Sequence, residues 1–321
     1  MILAAIIIGG VTYIKFYRQP KKEETTQKLE KVKINYGPVA NNLPTMLAFE
    51  KGFFKDEGLD VELIETASGA NPVITGLISG DLHAQGTLGW ATIITVEAES
   101  PGTFKTYGNC FEEGEFYQNA FIVKKNSGIK SVSDFKGKKI GMYKSTTTYT
   151  WLKLILEKNG LDPEKDVNIL QVDINLQTAI LASGQVDVLF AHEPFITISL
   201  EDENNELLEI NPKAKYVLDP APGGPVVMFT KKFEFEHPET VEKIKRAFGK
   251  SIEEVSRNES ESKKILPEYT ALSEEQAAKT HLYACQIPIS DDQIKNLQKF
   301  ADILYDEGEI KSPVDVTTLF D

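Results

Sequence analysis

Cysteine is nearly absent from this chain. Its 321 residues hold two, Cys110 and Cys285, far apart and in no CxxC pair, which removes the usual zinc and redox signatures. Two readings stay open for them, one disulfide in an exported protein or two buried free thiols. Positive charge is also short, with 35 Lys and Arg against 48 Asp and Glu and a net charge of −13. That is the wrong sign for a nucleic-acid binder, whose affinity comes largely from basic groups neutralising phosphates. The four histidines, His83, His192, His237 and His281, show no close metal-ligand spacing. No low-complexity tract occurs, and 41% hydrophobic with 26% charged residues are the proportions of a globular protein.

Catalytic motifs are missing too. There is no G-x-S-x-G, no H-E-x-x-H and no G-x-x-x-x-G-K-[ST]; the run from Gly86 to Gly89 is only a fragment of G-x-G-x-x-G. A Ser/His/Asp triad leaves no local signature, but nothing visible supports one. The expectation is therefore a protein that is not an enzyme and that uses no cofactor and no metal.

What is present begins with MILAAIIIGGVTYI, a continuous apolar run followed by the charged, aperiodic KFYRQPKKEETTQKLEK. Its length of about 14 residues is short of the roughly 20 that span a bilayer and nearer a signal-peptide core. Lys15, Arg18, Lys21 and Lys22 all follow the run, the wrong side for export. An upstream start would resolve this; a buried N-terminal strand or helix is the plainer alternative. The segments are read as a membrane anchor or signal at 1–18 and a polar tether at 19–31. With no cysteine nearby, a lipid anchor is not indicated.

From Val32 strands alternate with helices. VKINYG, DVELIET and LHAQGTL read as strands, with helices in TMLAFEKGFFKDEG and from Asn71 to Gly80. The plan repeats in GKKIGMY, STTTYTWLKLILEKNG, VNILQVD, LQTAILASG and VDVLFA. ISGDLHAQGTLGWA at 78–91 is thus echoed by LASGQVDVLFAHEPF at 181–195, each running from a helix end through Ser-Gly into an apolar strand. Such alternation implies parallel sheets with right-handed crossovers, hence α/β. The division expected is 32–115 for the first part of lobe 1, 116–225 for lobe 2, and a mostly helical 226–321 completing lobe 1, with helices at 238–257, 273–285 and 291–305.

LPTMLAFEKGFFKDEGLDVEL, then SVSDFKGKKIGM and LASGQVDVLFAHEPF, resemble the nitrate/sulfonate/taurine group of substrate-binding proteins of ABC importers, a pattern shared by proteins that bind thiamine-pyrimidine precursors. The resemblance covers about 32–320. It implies a two-lobe periplasmic-binding-protein fold of type II, each lobe a mainly parallel sheet flanked by helices, joined by two strands and closing over a small solute in the cleft between them. It also implies ABC permease subunits as partners, an extracytoplasmic location and a monomer. His83 departs from the family, which more often has Asp there.

In open α/β sheets ligands sit beyond the carboxyl ends of strands. That nominates 38–44, 86–91, 144–148 and 192–194, and within them Thr87 and Gly89. Ser145, Thr146, Thr147 and Thr148 put hydroxyls and free N–H groups at a helix start, a cradle for an anion; helix capping alone is the plainer account. Asn41 and Asn42 offer amides, or merely turn the chain. Trp90 is expected as a flat wall over the ligand, against a core role. Alternation along VDVLFA lets only one of His192 and Glu193 face the cleft, and Glu193 is chosen. His83 is read as structural. The Thr-rich helix start favours a small anion such as sulfonate, nitrate or taurine. No Arg falls in any nominated loop, so bidentate clamping of a carboxylate or phosphate is not indicated. The alternatives are a flat amino-bearing heterocycle or a pyrimidine-precursor synthase on the same fold.

Overall fold

The computed structural model describes residues 5–8, 11–14, 29–66, 69–86 and 88–320. Most of the expected tether at 19–31, much of the segment 1–18, and Thr87 lie outside the described residues. Within 1–18, strands β1 (Ala5–Ile8) and β2 (Val11–Ile14) pair antiparallel as a sheet of their own. Among the described residues no helix is long and apolar enough to cross a membrane.

The first lobe opens with β3 (Glu30–Tyr36), where Val32 and Ile34 point into the core while Lys31 and Lys33 face out, the period-2 pattern of a half-buried strand. β4 (Leu59–Glu65) and β5 (Ala84–Gln85) flank it, both parallel to it, and β6 (Phe104–Thr106) follows. β7 (Asn109–Glu112) carries the chain out to the second lobe, built from β8 (Asn119–Lys124), β9 (Lys139–Tyr143), β10 (Asn168–Val172), β11 (Val188–His192) and β12 (Asn205–Ile210). β13 (Ala221–Pro225) brings it back to β14 (Met228–Thr230), which enters the first sheet between β5 and β6. β15 (Ala284–Gln286) joins β7 from the other side, so the linker sheet reads β13-β7-β15.

The two lobe sheets have one design. Their orders, β4-β3-β5-β14-β6 and β10-β9-β11-β8-β12, superpose term by term, each with three parallel strands and an antiparallel strand in the fourth place. The repeated Ser-Gly passage marks the same point in each: Gly80 and Gly184 end their helices at φ +84° and +73°, a conformation cheap only for glycine, and the chain drops into β5 or β11.

After β14 the chain is helical apart from β15, but it does not serve the first lobe alone. Helix Pro238–Arg257 buries Val241, Ile244, Ala247 and Phe248 at helical spacing, and Phe248 meets Phe54 edge-on at 5.6 Å. Helix Asp291–Asp306 instead reaches the second lobe, where Phe300 stacks flat on Trp151 at 4.4 Å and Lys153 pairs with Glu309. The helix expected at 273–285 is corrected. It runs only from Glu274 to Lys279, and Ala284–Gln286 is strand, because Cys285 lies opposite Cys110 in the ladder with β7 and is joined to it by a disulfide.

Candidate ligand-binding cleft

A cavity of about 690 Å³ opens between the carboxyl ends of the two lobe sheets, closed at the back by the linker sheet. Three helices begin on its wall. Helix Asn71–Ser79 and helix Trp90–Glu99 start there without a side-chain cap, and helix Thr146–Lys158 starts there with Ser145 as its cap. Each brings the unsatisfied N–H groups of a first turn and the positive end of its dipole. Their convergence favours negative charge in the cavity.

The hydroxyl run at 145–148 divides its work. Ser145 Oγ accepts from the N–H of Thr148 at 3.3 Å, so capping accounts for that side chain. Thr147 meets Thr92 of the other lobe hydroxyl to hydroxyl at 3.0 Å. Gly89 permits this contact, since a Cβ there would sit 2.7 Å from Thr147 Cγ2. The hydroxyls of Thr146 and Thr148, both on the cavity wall, have no hydrogen-bond partner among the described residues. Lys144 stands exposed beside them.

Asn41 lines the cavity; Asn42 does not. Asn42 is fully buried behind it, donating to Asn41 Oδ1 at 2.7 Å and accepting from the N–H of Gly37 at 3.3 Å, so it orients its neighbour instead of facing a ligand. Trp90 is a second correction. It is fully buried, with Nε1 donating to Asn109 Oδ1 at 2.7 Å, and is absent from the cavity wall. The reason is its helical phase: Trp90, Ile93, Ile94 and Glu97 form the inward face of helix Trp90–Glu99.

Glu193 is the third correction. Alternation does send the two neighbours to opposite faces, but His192 takes the cavity. Glu193 lies behind it, fully buried, accepting from Thr197 Oγ1 at 3.0 Å, the N–H of Thr197 at 3.2 Å and the N–H of His281 at 3.1 Å. His192 Nδ1 is 2.6 Å from the carbonyl of Glu193. A carbonyl only accepts, so Nδ1 carries the hydrogen and Nε2 is left as an acceptor. Burial first, and then the nearby charge of Lys213, hold the imidazole below its ordinary pKa and hence neutral. His83 is off the cavity wall, stacked on Phe233 at 5.1 Å with Nδ1 accepting from the N–H of Lys33.

Sequence reasoning missed Lys213, Tyr283 and the Gly223–Gly224 pair, all on the wall. The Pro- and Gly-rich run before β14 was the available signal for the last: a Cβ on Gly224 would lie 2.3 Å from the carbonyl oxygen of Leu88, so only glycine lets β13 pass the loop that ends at Gly89. Burial pushes the phenol of Tyr283 well above its usual pKa, which keeps it a neutral donor. Among the described residues no group of three His, Cys, Asp or Glu could hold a metal ion.

A family model described as NMT1/THI5 like matches residues 39–262. The “Putative aliphatic sulfonates-binding protein” of Bacillus subtilis (strain 168) is 27% identical over 285 residues, spanning 87% of this chain and 82% of that protein. The 4-amino-5-hydroxymethyl-2-methylpyrimidine phosphate synthase of Schizosaccharomyces pombe is 28% identical over 154 residues, but these are 48% of this chain and 42% of that enzyme. Among solved structures, the alkanesulfonate-binding protein SsuA from Xanthomonas axonopodis pv. citri bound to MOPS superposes with a TM-score of 0.74 at 19% identity, covering 92% of this chain and 99% of that one. The fold is therefore that of the two-lobe periplasmic binding proteins.

Proposed function

Given that the chain belongs to the NMT1/THI5-like family, we propose that it is the solute-binding component of an ABC importer, working outside the cytoplasm as a monomer and handing a small organic anion, a sulfonate first, to the permease. The observation that carries this reading is the convergence of three helix N-termini on one inter-lobe cavity. A sulfonate presents three oxygens that share one negative charge, which suits several fixed N–H and O–H donors. Size argues the same way, since about 690 Å³ matches the range of roughly 300 to 1,000 Å³ in which organic ligands are bound, whereas nitrate would leave most of the space to water.

Binding works by population shift: a solute that touches both walls favours the closed arrangement by its differential affinity for it. The Thr92 to Thr147 contact and the seat of helix Asp291–Asp306 across both lobes make that side of the cleft the pivot. No bond of the solute changes, so the solute leaves with the mass it brought.

The test is a thermal-shift screen of the folded chain with alkanesulfonates, taurine, nitrate, bicarbonate and aminopyrimidines. A ligand that binds only the folded state adds about 2.7 kcal/mol at a hundredfold excess over its Kd. Stabilisation by an alkanesulfonate, with nitrate and aminopyrimidines inert, is the expected result; inert sulfonates beside an active nitrate or pyrimidine would overturn the ligand class. Of those two, the amino-bearing heterocycle has a feature in its favour, because His192 Nε2 is an acceptor on a wall that also holds Tyr143 and Tyr283.

A further inference from the structure

Lys213 comes from helix Pro212–Tyr216, on the chain's way back from the second lobe, and no loop named by the strand-end rule contains it. It lines the cavity while only 4% of its surface is exposed. Its Nζ donates to Glu112 Oε1 at 2.6 Å and lies 5.5 Å from the centroid of the Trp151 ring. Glu112, on β7, is fully buried and does not reach the cavity; its other oxygen accepts from the N–H of Gln118 at 3.3 Å.

An ammonium has three donors. Among the described residues Glu112 is the one hydrogen-bond partner of the Lys213 side chain, so two of the three are unspent. Taking an ammonium out of water is costly, and attraction to a single carboxylate repays that cost only when the remaining protons also find acceptors. Because Lys213 borders the cavity and Glu112 does not, the acceptors that would complete the site belong on the cavity side. The pair is neutral as a whole, so it attracts by direction, with the acid turned towards Gln118 and the ammonium towards the space under helix Thr146–Lys158, whose Trp151 covers it.

We propose that Lys213 is the buried cation that receives the anionic head of the solute, held ready on Glu112 when the cleft is empty. This rests on the anion-binding reading above and adds the residue that makes a full negative charge a requirement. A solute with a neutral head of the same shape would satisfy the helix N–H groups but offer the Lys213 ammonium no anionic acceptor beyond Glu112.

The experiment compares an alkanesulfonate with the matching sulfonamide by calorimetry on the full chain. Lys213→Met alone would strand a buried carboxylate, so the decisive variant is Lys213→Met with Glu112→Gln, which removes both charges together; circular dichroism establishes that it is folded. The double variant is expected to bind the sulfonate at least tenfold more weakly, about 1.4 kcal/mol, and to lose most of the preference for sulfonate over sulfonamide. A folded double variant that keeps the parent's affinity and preference overturns the role of Lys213 and leaves the importer reading intact. A parent chain that binds no alkanesulfonate, nitrate or bicarbonate overturns the anion-binding reading and the role of Lys213 together, and does so before any variant is made.

Discussion

His192 closes β11 with its ring on the cavity and its Nδ1–H given to the carbonyl of Glu193. Burial and the neighbouring Lys213 disfavour the imidazolium, so the folded pKa lies below the unfolded value of about 6.5. Between those two values the unfolded chain binds a proton that the folded chain refuses. Stability therefore rises with pH across that window and is lost as pH falls below about 6.5 towards the folded pKa, at up to about 1.4 kcal/mol per pH unit. His83, also lowered by burial, adds to the slope. Glu30 and Glu57, shifted downwards from 4.5, act only at more acid pH. His192→Asn keeps an amide donor near the Nδ1 position but cannot titrate. Urea unfolding at pH 7 and pH 5.5 should show a smaller loss of stability in the variant than in the parent; equal losses would mean that His192 is not held neutral. At this scale the sequence was half legible. Alternation established that one of residues 192 and 193 meets the cavity, but the choice depends on His281, 88 residues away, which engages Glu193. Lys213 escaped notice for a like reason, since its partner Glu112 is 101 residues upstream.

Helix Thr146–Lys158 is the element on which sequence and structure agree best, because a Ser-Thr run before an apolar helical period announces its start and Gly160 its end. On the proposed reading the same first turn both caps the helix and faces the solute, and one substitution separates the two. Asp caps as well as Ser does, and a carboxylate at a helix N-terminus gains roughly 0.3 to 1 kcal/mol from the dipole. Ser145→Asp should therefore leave the melting temperature unchanged or slightly raised, while placing a negative charge on the cavity wall and weakening sulfonate binding at least tenfold. Ser145→Ala should do the reverse, losing about 1 kcal/mol of stability with a smaller effect on affinity. Paired melting curves and titrations decide it: a Ser145→Asp chain that binds the sulfonate like its parent would remove this helix start from the anion site. Where an element was misread, the cause was tertiary. The stretch 280–285 follows a well-capped helix, with Ser273 and Gln276 forming the capping box. Local propensity would extend that helix, but pairing with β7 and the Cys110–Cys285 bond draw the chain out as β15.

Across the whole molecule the two lobes are separate as sheets but not as cores. One continuous apolar cluster joins Val73, Leu77 and Trp90 of the first lobe to Phe121, Ile140 and Trp151 of the second through Phe300 and Leu304 of the C-terminal helix. The disulfide adds a covalent tie between β7 and β15, 175 residues apart in sequence. Exposing either lobe would strip the shared cluster from the other, so unfolding should be a single cooperative transition despite a length suited to two domains. The chain supplies its own reporters, because its two tryptophans fall one to each lobe, Trp90 beside Phe320 and Trp151 on Phe300. Single-tryptophan chains, made with Trp151→Phe or Trp90→Phe, should each give a fluorescence transition that coincides with loss of ellipticity at the same urea concentration. Phe300→Ala deletes a fully buried ring and should cost about 3 to 5 kcal/mol. Under the shared-core account that loss moves both tryptophan transitions together. If Phe300→Ala shifted the Trp151 transition and left that of Trp90 in place, the lobes would be folding independently, and the seam that serves as the pivot of the cleft would be a surface contact instead of a core.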